Sequence, residues 1–195
     1  MRYSADHKEQ TRQRILEAAA RVFRREGFKA AGVEAIMAEA GLTVGGFYAH
    51  FRSKDDLFAA AFADALERIQ ERDHEQDQEC PRTERVQRKA FRYLSPTHRK
   101  AVEQGCPLPP LLAELPRQNA EIRKSFEASL RAMAADLNGG PLNEESPDEL
   151  LGIVATMVGG IALARAVESP KLADQILASC RRLVQAGLKA AEAQQ

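Results

Sequence analysis

Three polar side chains in residues 43–51 are of the types that contact DNA. Thr43, Tyr48 and His50 carry hydroxyl and imidazole groups, which bind phosphate oxygens and base edges in protein–DNA complexes. Phe47 and Phe51 are four residues apart, and in a helix through this segment they share the opposite face. The segment is therefore predicted to be a DNA-contacting helix with one polar and one apolar face.

A helix of this composition depends on the elements around it. Gly45 and Gly46 each cost about 1 kcal/mol relative to alanine in a helix, so neighbours must hold the segment by packing against its two phenylalanines. Just before it, another short apolar-periodic segment, residues 33–40, ends at Gly41. Two short helices joined by a glycine-containing turn are typical of the helix-turn-helix motif, whose second helix enters the major groove.

The sequence around this motif resembles the DNA-binding domain of the tetracycline-repressor (TetR) family of bacterial transcription factors. The resemblance covers residues 8–58 and is only architectural beyond about the first 60 residues. It implies a homodimer that represses transcription from a palindromic operator on double-stranded DNA and is released by a small-molecule effector. The residues that carry the resemblance are Ile15-Leu16-Glu17-Ala18-Ala19, Phe23, Gly27-Phe28, Ala40-Gly41-Leu42-Thr43, Tyr48-Ala49-His50-Phe51, Lys54 and Leu57.

The resemblance also implies roles for individual residues. Thr43, Tyr48 and His50 are expected to bind backbone phosphates, and Thr43 is expected to be the N-cap of the recognition helix as well. Lys54 is expected to contact a further phosphate from the start of the next helix. The whole predicted DNA-contacting set is Thr43, Val44, Gly45, Gly46, Tyr48, His50 and Lys54.

The chain departs from the family pattern at positions that influence which DNA is bound. Val44 and Gly46 stand where relatives often have basic and hydroxyl-bearing residues. Val44 suits a thymine methyl group but cannot bind guanine in the bidentate way that arginine does. Gly32 stands where relatives often have a threonine cap, which leaves backbone N–H groups for phosphate. DNA binding is therefore expected, but the operator sequence does not follow from these residues.

Composition and charge agree with a small DNA-binding domain at the start of a larger protein. The chain has 195 residues, 44% of them apolar, and its formal net charge is zero, which argues against a polybasic protein. Residues 1–54 contain ten Lys and Arg against six Asp and Glu, whereas the remaining residues contain eighteen against twenty-two. This mild asymmetry is what a protein that touches nucleic acid at one end would have.

Cysteine usage and hydropathy predict a cytoplasmic protein. Cys80, Cys106 and Cys180 form no CxxC pair, so neither a disulfide framework nor structural zinc is expected, and a reducing compartment is the default. The opening residues have no apolar core, so no signal peptide is expected. The apolar run at residues 150–164 has 15 residues, short of the roughly 20 that span a bilayer, and is predicted to be a helix buried on all sides.

Apolar periodicity predicts an all-α fold of about nine helices, since no segment alternates long enough to indicate a strand. A helix-turn-helix domain of three helices is assigned to residues 1–54, and a helical ligand-binding and dimerisation domain to residues 55–195. The first helix is expected to end at Gly27, and Ser53 with Asp56 is expected to cap the helix that follows the motif.

Small residues in the apolar run indicate a dimer interface, because glycine and alanine permit close approach of backbones. A helix that is apolar on all faces must be covered on all faces, and a second apolar stripe lies on the last helix, so four helices are predicted to meet across a two-fold axis. The predicted interface residues are Gly152, Ala155, Gly159, Gly160, Ile176, Cys180, Leu183 and Val184.

Aromatic and methionine side chains in the middle of the chain predict an apolar ligand pocket. Methionine suits an adaptable cavity, and small-molecule pockets are mostly apolar, although the same residues would also fill an ordinary core. The predicted lining is Phe91, Leu94, Leu111, Leu112, Phe126, Leu130, Met133 and Met157.

Two alternatives to ligand control remain open. Cys106 precedes Pro107 at a predicted helix start, where the helix dipole favours a reactive thiolate, so one alternative is a DNA-binding sensor of oxidants or electrophiles. Control by a protein partner is the other. His74 and Cys80 more plausibly belong to a solvated helix end than to a metal site, so no metal or cofactor is expected. The scattered histidines suggest no catalytic arrangement, and an enzyme is not expected.

Overall fold

The computed structural model describes residues 5–77, 81–142 and 149–192, and every regular element within these ranges is helical. The all-α prediction is confirmed. The elements in chain order are α1 (Ala5–Ala30), α2 (Val33–Glu39), a first 3₁₀ helix (Val44–Ala49), α3 (Lys54–Asp77), α4 (Arg82–Tyr93), α5 (Pro96–Lys100), α6 (Leu108–Leu111), a second 3₁₀ helix (Leu115–Arg117), α7 (Ala120–Asn138), α8 (Glu149–Ala166) and α9 (Pro170–Glu192).

The helices form two compact units that are not continuous in sequence. The first unit contains the chain up to Arg68 together with residues 106–126, and the second contains residues 69–105 and the chain from Glu127 onward. Residues 106–126, with α6 and the start of α7, therefore belong to the unit that contains the helix-turn-helix, although both flanking segments belong to the other unit. A division of the chain at residue 54 does not anticipate this grouping.

Aromatic rings form the centre of the first unit. Phe23 on α1 is buried, with its ring 5.0 Å from that of Phe58 on α3 in an edge-to-face arrangement. The Phe28 ring lies 4.8 Å from the Phe58 ring, and such pairs contribute about 0.5–1.5 kcal/mol beyond the area they bury. The apolar face of α1 expected from the sequence is confirmed, because Ile15, Ala19, Val22 and Phe23 are all buried.

The end of α1 is a sharp turn held by a distant carboxylate. Gly27 has φ 81° and ψ 166°, and the chain makes one further helical turn after it. Glu114 accepts hydrogen bonds from the backbone N–H groups of Phe28 and Lys29, at 3.0 and 2.9 Å. A Cβ atom on Gly27 would lie 2.3 Å from Glu114 Oε1. Glycine is therefore required both by the positive φ and by the carboxylate that satisfies this helical turn.

Hydrogen bonds of Asn119 connect the start of α7 to α3 within the first unit. The side-chain oxygen of Asn119 accepts from the N–H of Ile122 at 3.0 Å and thereby caps α7. The amide nitrogen of Asn119 donates to the Asp55 carboxylate at 3.0 Å. The predicted cap of α3 is confirmed, because the Asp56 N–H donates to Ser53 Oγ at 3.0 Å. The Asp56 carboxylate in turn accepts from the N–H of Arg52, one residue before the cap.

Close packing of α8 against its neighbours defines the second unit. A Cβ atom on Gly160 would lie 2.8 Å from both Cys180 Sγ on α9 and Leu94 Cδ2 beside α4, so glycine permits the approach of these three segments. By length and composition α8 could cross a membrane, with a mean hydropathy of 1.6, and 44% of it is buried. Leu151 and Leu163 are exposed, so the expectation that this helix is covered on all sides is not met within one chain.

One arginine side chain joins α8 to α5 in the second unit. Arg165 near the end of α8 donates from Nε to the Arg99 carbonyl at 3.0 Å and from Nη2 to the His98 carbonyl at 2.8 Å. The cation thus satisfies carbonyl groups at the C-terminus of α5. Burial, and secondarily Arg165, lowers the pKa of His98, against the opposing effect of its hydrogen bond to the Tyr93 carbonyl. Burial of His98 therefore favours the neutral form of its imidazole.

Removing the Glu114 carboxylate should destabilise the first unit. Glu114→Ala leaves two backbone N–H groups of the last turn of α1 without an acceptor, which should lower the free energy of unfolding by about 1–2 kcal/mol. Urea denaturation measures the change, with Glu67→Ala at an exposed position of α3 as the matched control. Equal stability of the two variants would show that the carboxylate does not hold this turn.

Candidate nucleic-acid interface

The predicted recognition helix is a 3₁₀ helix, Val44–Ala49, rather than an α-helix over residues 43–51. Thr43 has extended backbone angles at its N-cap position, as expected, but its hydroxyl makes no capping hydrogen bond. The N–H groups of His50 and Phe51 both donate to the Phe47 carbonyl at 3.0 Å and close the helix. Two consecutive glycines have low helix propensity, so an α-helix is not favoured over a 3₁₀ helix in this segment. Short 3₁₀ helices are common in the connections between α-helices.

Neighbouring elements hold this short helix as the sequence predicts. Phe47 and Phe51 are both buried, so the predicted apolar face is confirmed. Gly41 adopts φ 67° after α2, and the guanidinium of Arg14 donates to the Ala40 carbonyl at 2.8 Å, which caps the C-terminus of α2. The turn between the two helices is thus fixed by a glycine conformation and by a cation from α1.

The opposite face of the 3₁₀ helix is open to solvent. Tyr48 is 74% exposed and Val44 is 42% exposed, and Thr43 and Gly45 are exposed beside them. A Cβ atom on Gly45 would meet nothing within 4 Å, whereas one on Gly46 would lie 3.8 Å from Met37 of α2. We call the set Thr43, Val44, Gly45 and Tyr48 the reading surface. Its phenol, hydroxyl, methyl and backbone groups can all approach a groove.

His50 lies at the C-terminal end of the 3₁₀ helix and is half-buried. Burial lowers its pKa, and the positive charges of Lys8 and Arg12 on α1 lower it further, against an opposing effect of Glu9. The imidazole is therefore neutral at neutral pH. Its Nδ1 atom is buried and makes no hydrogen bond to any residue that the structure describes. A buried nitrogen without an acceptor favours the tautomer that carries its proton on Nε2, so the ring remains a donor.

Lys54, the first residue of α3, is anchored close to the end of α1. Its ammonium group lies 4.6 Å from the centre of the Phe28 ring and donates to the Lys29 carbonyl at 3.3 Å. Because an ammonium group has three N–H donors, these contacts orient it without using its whole capacity. The charge is thus positioned within the same unit as the reading surface.

The predicted pocket residues are divided between the two compact units. In the second unit Leu94 and Met157 are buried, and Phe91, Leu130 and Met133 are half-buried. In the first unit Leu111 is buried and Phe126 is half-buried, with its ring 6.4 Å from that of Phe62. Leu112 is 41% exposed and does not belong to an apolar interior.

The predicted interface residues on α8 and α9 point in two directions. Leu183 is 65% exposed, Ala155 is exposed, and Cβ atoms on Gly152 and Gly159 would meet nothing within 4 Å. Gly160, Cys180 and Val184 instead lie on the inner side: Gly160 and Val184 are buried, and Cys180 contacts Gly160. Ile176 is half-buried. Three further exposed leucines, Leu151, Leu163 and Leu172, are not in the predicted set, although Leu172 lies on the apolar stripe expected on the last helix.

A period of four residues could have revealed the outer face of α8. Leu151, Ala155, Gly159 and Leu163 follow one another at this spacing, which places them on one side of a helix. All four are exposed or half-buried. The inner residues Val154 and Val158 are just as apolar, so composition alone does not separate the two faces.

Cys106 does not have the exposed position that a reactive thiol requires. Its side chain is only 3% exposed, and α6, which begins two residues later, has four residues. A buried cysteine of this kind is not accessible to oxidants in this conformation. Within the residues described, no group of three potential metal ligands is found. The side chains of His74 and Cys80 lie outside the described residues.

The helix-turn-helix matches a known family. Residues 15–61 match the model of the bacterial regulatory proteins of the tetR family. This segment is similar to the DNA-binding domains of that family. The match contains α2, the turn at Gly41, the 3₁₀ helix and the start of α3, which are the elements that build the reading surface. The resemblance therefore lies in the helix-turn-helix, the part that is shared with bacterial regulatory proteins.

Known relatives agree over the same segment. The HTH-type transcriptional regulator AcrR of Shigella flexneri is 41% identical over 51 residues, which make up 26% of this chain and 24% of that protein. The chain spans less than a third of the length of the curated relatives it matches. Beyond the DNA-binding domain, sequence similarity to them therefore carries no information.

Solved structures share the fold over almost the whole chain. A TetR transcriptional regulator from Chloroflexus aurantiacus superimposes with a TM-score of 0.73 at 24% identity, over 93% of this chain and 95% of that one. The regulator FadR from Bacillus subtilis, solved in complex with stearoyl-CoA, gives 0.60 at 19% identity, over 90% of this chain and 96% of that one. At these identities the likeness establishes the fold.

Replacing both Tyr48 and His50 by alanine should weaken binding to every DNA duplex. Each residue is expected to lose a phosphate hydrogen bond of about 1 kcal/mol. Both side chains are uncharged, so the dependence of affinity on salt should barely change. Fluorescence anisotropy over a range of salt concentrations measures both quantities.

Val44→Ala provides the contrast, since it should change which duplex is preferred rather than the general affinity. A Tyr48→Ala, His50→Ala protein that unfolds at the wild-type temperature and binds as tightly as wild type would show that the reading surface is misplaced.

Proposed function

We propose that this TetR-family protein is a homodimeric transcriptional repressor that a small apolar ligand releases from a palindromic operator. The observation that carries the DNA-binding half is the reading surface: exposed polar and apolar groups on a short helix that is clamped from behind by Phe47 and Phe51. A helix exposed on one face and fixed on the other can enter the major groove without changing shape.

The exposed leucines support a two-fold dimer through α8 and α9. Leu151 and Leu163 on α8, and Leu172 and Leu183 on α9, are between 45% and 65% exposed. Large apolar patches on a soluble protein mark interaction surfaces. Gly152 and Gly159 leave open space beside them, so a second helix can approach the α8 backbone. A dimer with a two-fold axis matches a palindromic operator, because each half-site meets the same reading surface.

The placement of residues 106–126 supports coupling between the body and the DNA-binding head. This segment leaves the second unit, joins the first and then returns to the second. Within the first unit Glu114 holds the last turn of α1 and Asn119 holds the start of α3. A ligand in the second unit that moves the residues flanking this segment in the chain would therefore act on both helices that support the recognition motif. Such a ligand regulates only if it binds the two conformations with different affinity.

An apolar effector is the class that the buried side chains favour. Leu94 and Met157 are buried, and Leu130 and Met133 are half-buried in the same unit, and methionine side chains adapt to ligands of different shape. The fold is shared with a regulator whose structure contains stearoyl-CoA. Long-chain acyl compounds are therefore the first ligands to test. The burial of Cys106 weighs against the alternative in which oxidation of this thiol releases DNA.

The dimer interface is tested by placing charge on the exposed leucines. Leu163→Glu together with Leu183→Glu should give monomers at micromolar concentration, because a buried unpaired carboxylate is costly. Sedimentation equilibrium measures the mass. Leu112→Glu is the matched control, since Leu112 is also an exposed leucine but lies on neither helix. A wild-type protein that sediments as a monomer would remove the dimer from the proposal.

The regulatory part of the proposal is tested by selecting DNA duplexes that the protein binds and by measuring whether ligands release them. Wild-type protein should select duplexes with two-fold symmetry from a random library, and palmitoyl- or stearoyl-CoA should raise its melting temperature and lower its affinity for the selected duplex. Hydrogen peroxide, tested on wild type and on Cys106→Ser, distinguishes the redox alternative. If peroxide releases wild type but not the variant, while acyl compounds have no effect, the ligand assignment is wrong.

A further inference from the structure

The first turns of α1 place two cations beside the reading surface. Lys8 and Arg12 are four residues apart and therefore share one face of α1. The guanidinium carbon of Arg12 lies 5.2 Å from the centre of the Phe51 ring, directly after the recognition helix. Both cations are close enough to His50 to lower its pKa. Two cations and an imidazole donor therefore lie together at the C-terminal end of that helix.

These two cations differ from Arg21 and Arg25, farther along α1, which have carboxylate partners. Arg21 is paired with Glu39 at 3.0 Å, and Arg25 is paired with Glu26 at 3.0 Å. Among the residues described, neither Lys8 nor Arg12 forms an ion pair, and Glu9 is the acidic residue that acts on the same region. Their charges are thus available to an external anion, whereas those of Arg21 and Arg25 are paired within the protein.

We propose that Lys8 and Arg12 bind the DNA backbone and extend the contact region from the recognition helix onto α1. The occupant is a phosphate group of duplex DNA, because the neighbouring reading surface faces DNA in the proposed function, on which this inference rests. The Arg12 guanidinium uses its face for the Phe51 ring, which leaves its edge N–H groups to donate to phosphate. Lys8 is exposed and supplies a mobile point charge next to it.

The chemistry of this pair predicts affinity without sequence preference. Lysine and arginine contacts to phosphate position a protein on the duplex but do not distinguish bases. Each phosphate neutralised releases counterions, so each contact adds about 0.9 to the magnitude of the slope of log K against log salt. A dimer carries every contact twice, so loss of one residue should reduce the magnitude by about 1.8. Glu9 repels the same phosphates, and its removal should strengthen binding.

The experiment measures salt slopes with the full-length protein and two duplexes. One is a 30-base-pair duplex selected by wild type, and the other is a scrambled duplex of equal length. Lys8→Gln and Arg12→Gln should each lower affinity on both duplexes and make the slope shallower by about 1.8. Arg12→Lys should keep the slope, and Glu9→Gln should raise affinity. Arg88→Gln, at an exposed position of α4 in the second unit, controls for the change in net charge.

The outcomes separate this inference from the proposed function. If wild type selects no duplex, the proposed function fails. If wild type binds but Lys8→Gln and Arg12→Gln keep the wild-type slope, DNA binding stands and the phosphate role of α1 is wrong. A lower affinity of Arg12→Gln with an unchanged slope and a lower melting temperature would show that Arg12 only supports Phe51. Equal slope changes in Arg88→Gln would show a general charge effect and would also overturn the inference.

Discussion

The recognition helix depends on the burial of two phenylalanines. Gly45 and Gly46 make residues 44–49 a poor helix by themselves, so the conformation is set by packing rather than by propensity. Phe47 and Phe51 supply that packing in the core of the first unit, and Arg14 fixes the preceding turn by capping α2. The absence of Cβ atoms then leaves the backbone itself open to DNA. The two glycines thus account both for the instability of the isolated segment and for the exposure of its backbone.

In the same unit, two polar side chains from residues 106–126 hold the helices on either side of the motif. Glu114 takes the place of a local N-cap for the last turn of α1, and Asn119 caps its own helix while it binds Asp55 on α3. Hydrogen bonds to a charged carboxylate are stronger than those between neutral groups and depend on direction. A small displacement of residues 106–126 therefore costs free energy at the two helices that position the recognition helix.

Charge is arranged differently along α1 and over the reading surface. Arg21 and Arg25 form ion pairs with carboxylates of the first unit, while the charges of Lys8 and Arg12 lower the pKa of His50. The reading surface itself has no charged side chain. In the proposed DNA complex, attraction to the DNA backbone and discrimination between bases would fall to different residues, and substitutions can separate the two.

The amino-acid sequence determined the elements whose cause is local. Periodicity of apolar residues predicted the helices, the pair Ser53 and Asp56 predicted the start of α3, and the spacing of Phe47 and Phe51 predicted the clamped face of the recognition helix. Each of these depends on residues a few positions apart. The period of four that marks the outer face of α8 was also present in the sequence, although the glycines alone suggested a different set.

Only the tertiary structure decided the features that join distant residues. The hydrogen bonds from the N–H groups of Phe28 and Lys29 to the Glu114 carboxylate join residues more than eighty positions apart. The sequence around Gly27 does not indicate which residue accepts them. Gly160 lies against Cys180 rather than on an outer face, and Cys106 is buried, because each depends on which helices pack against it. A sequence pattern reveals that a face is apolar, but the packing partners determine whether that face is core or surface.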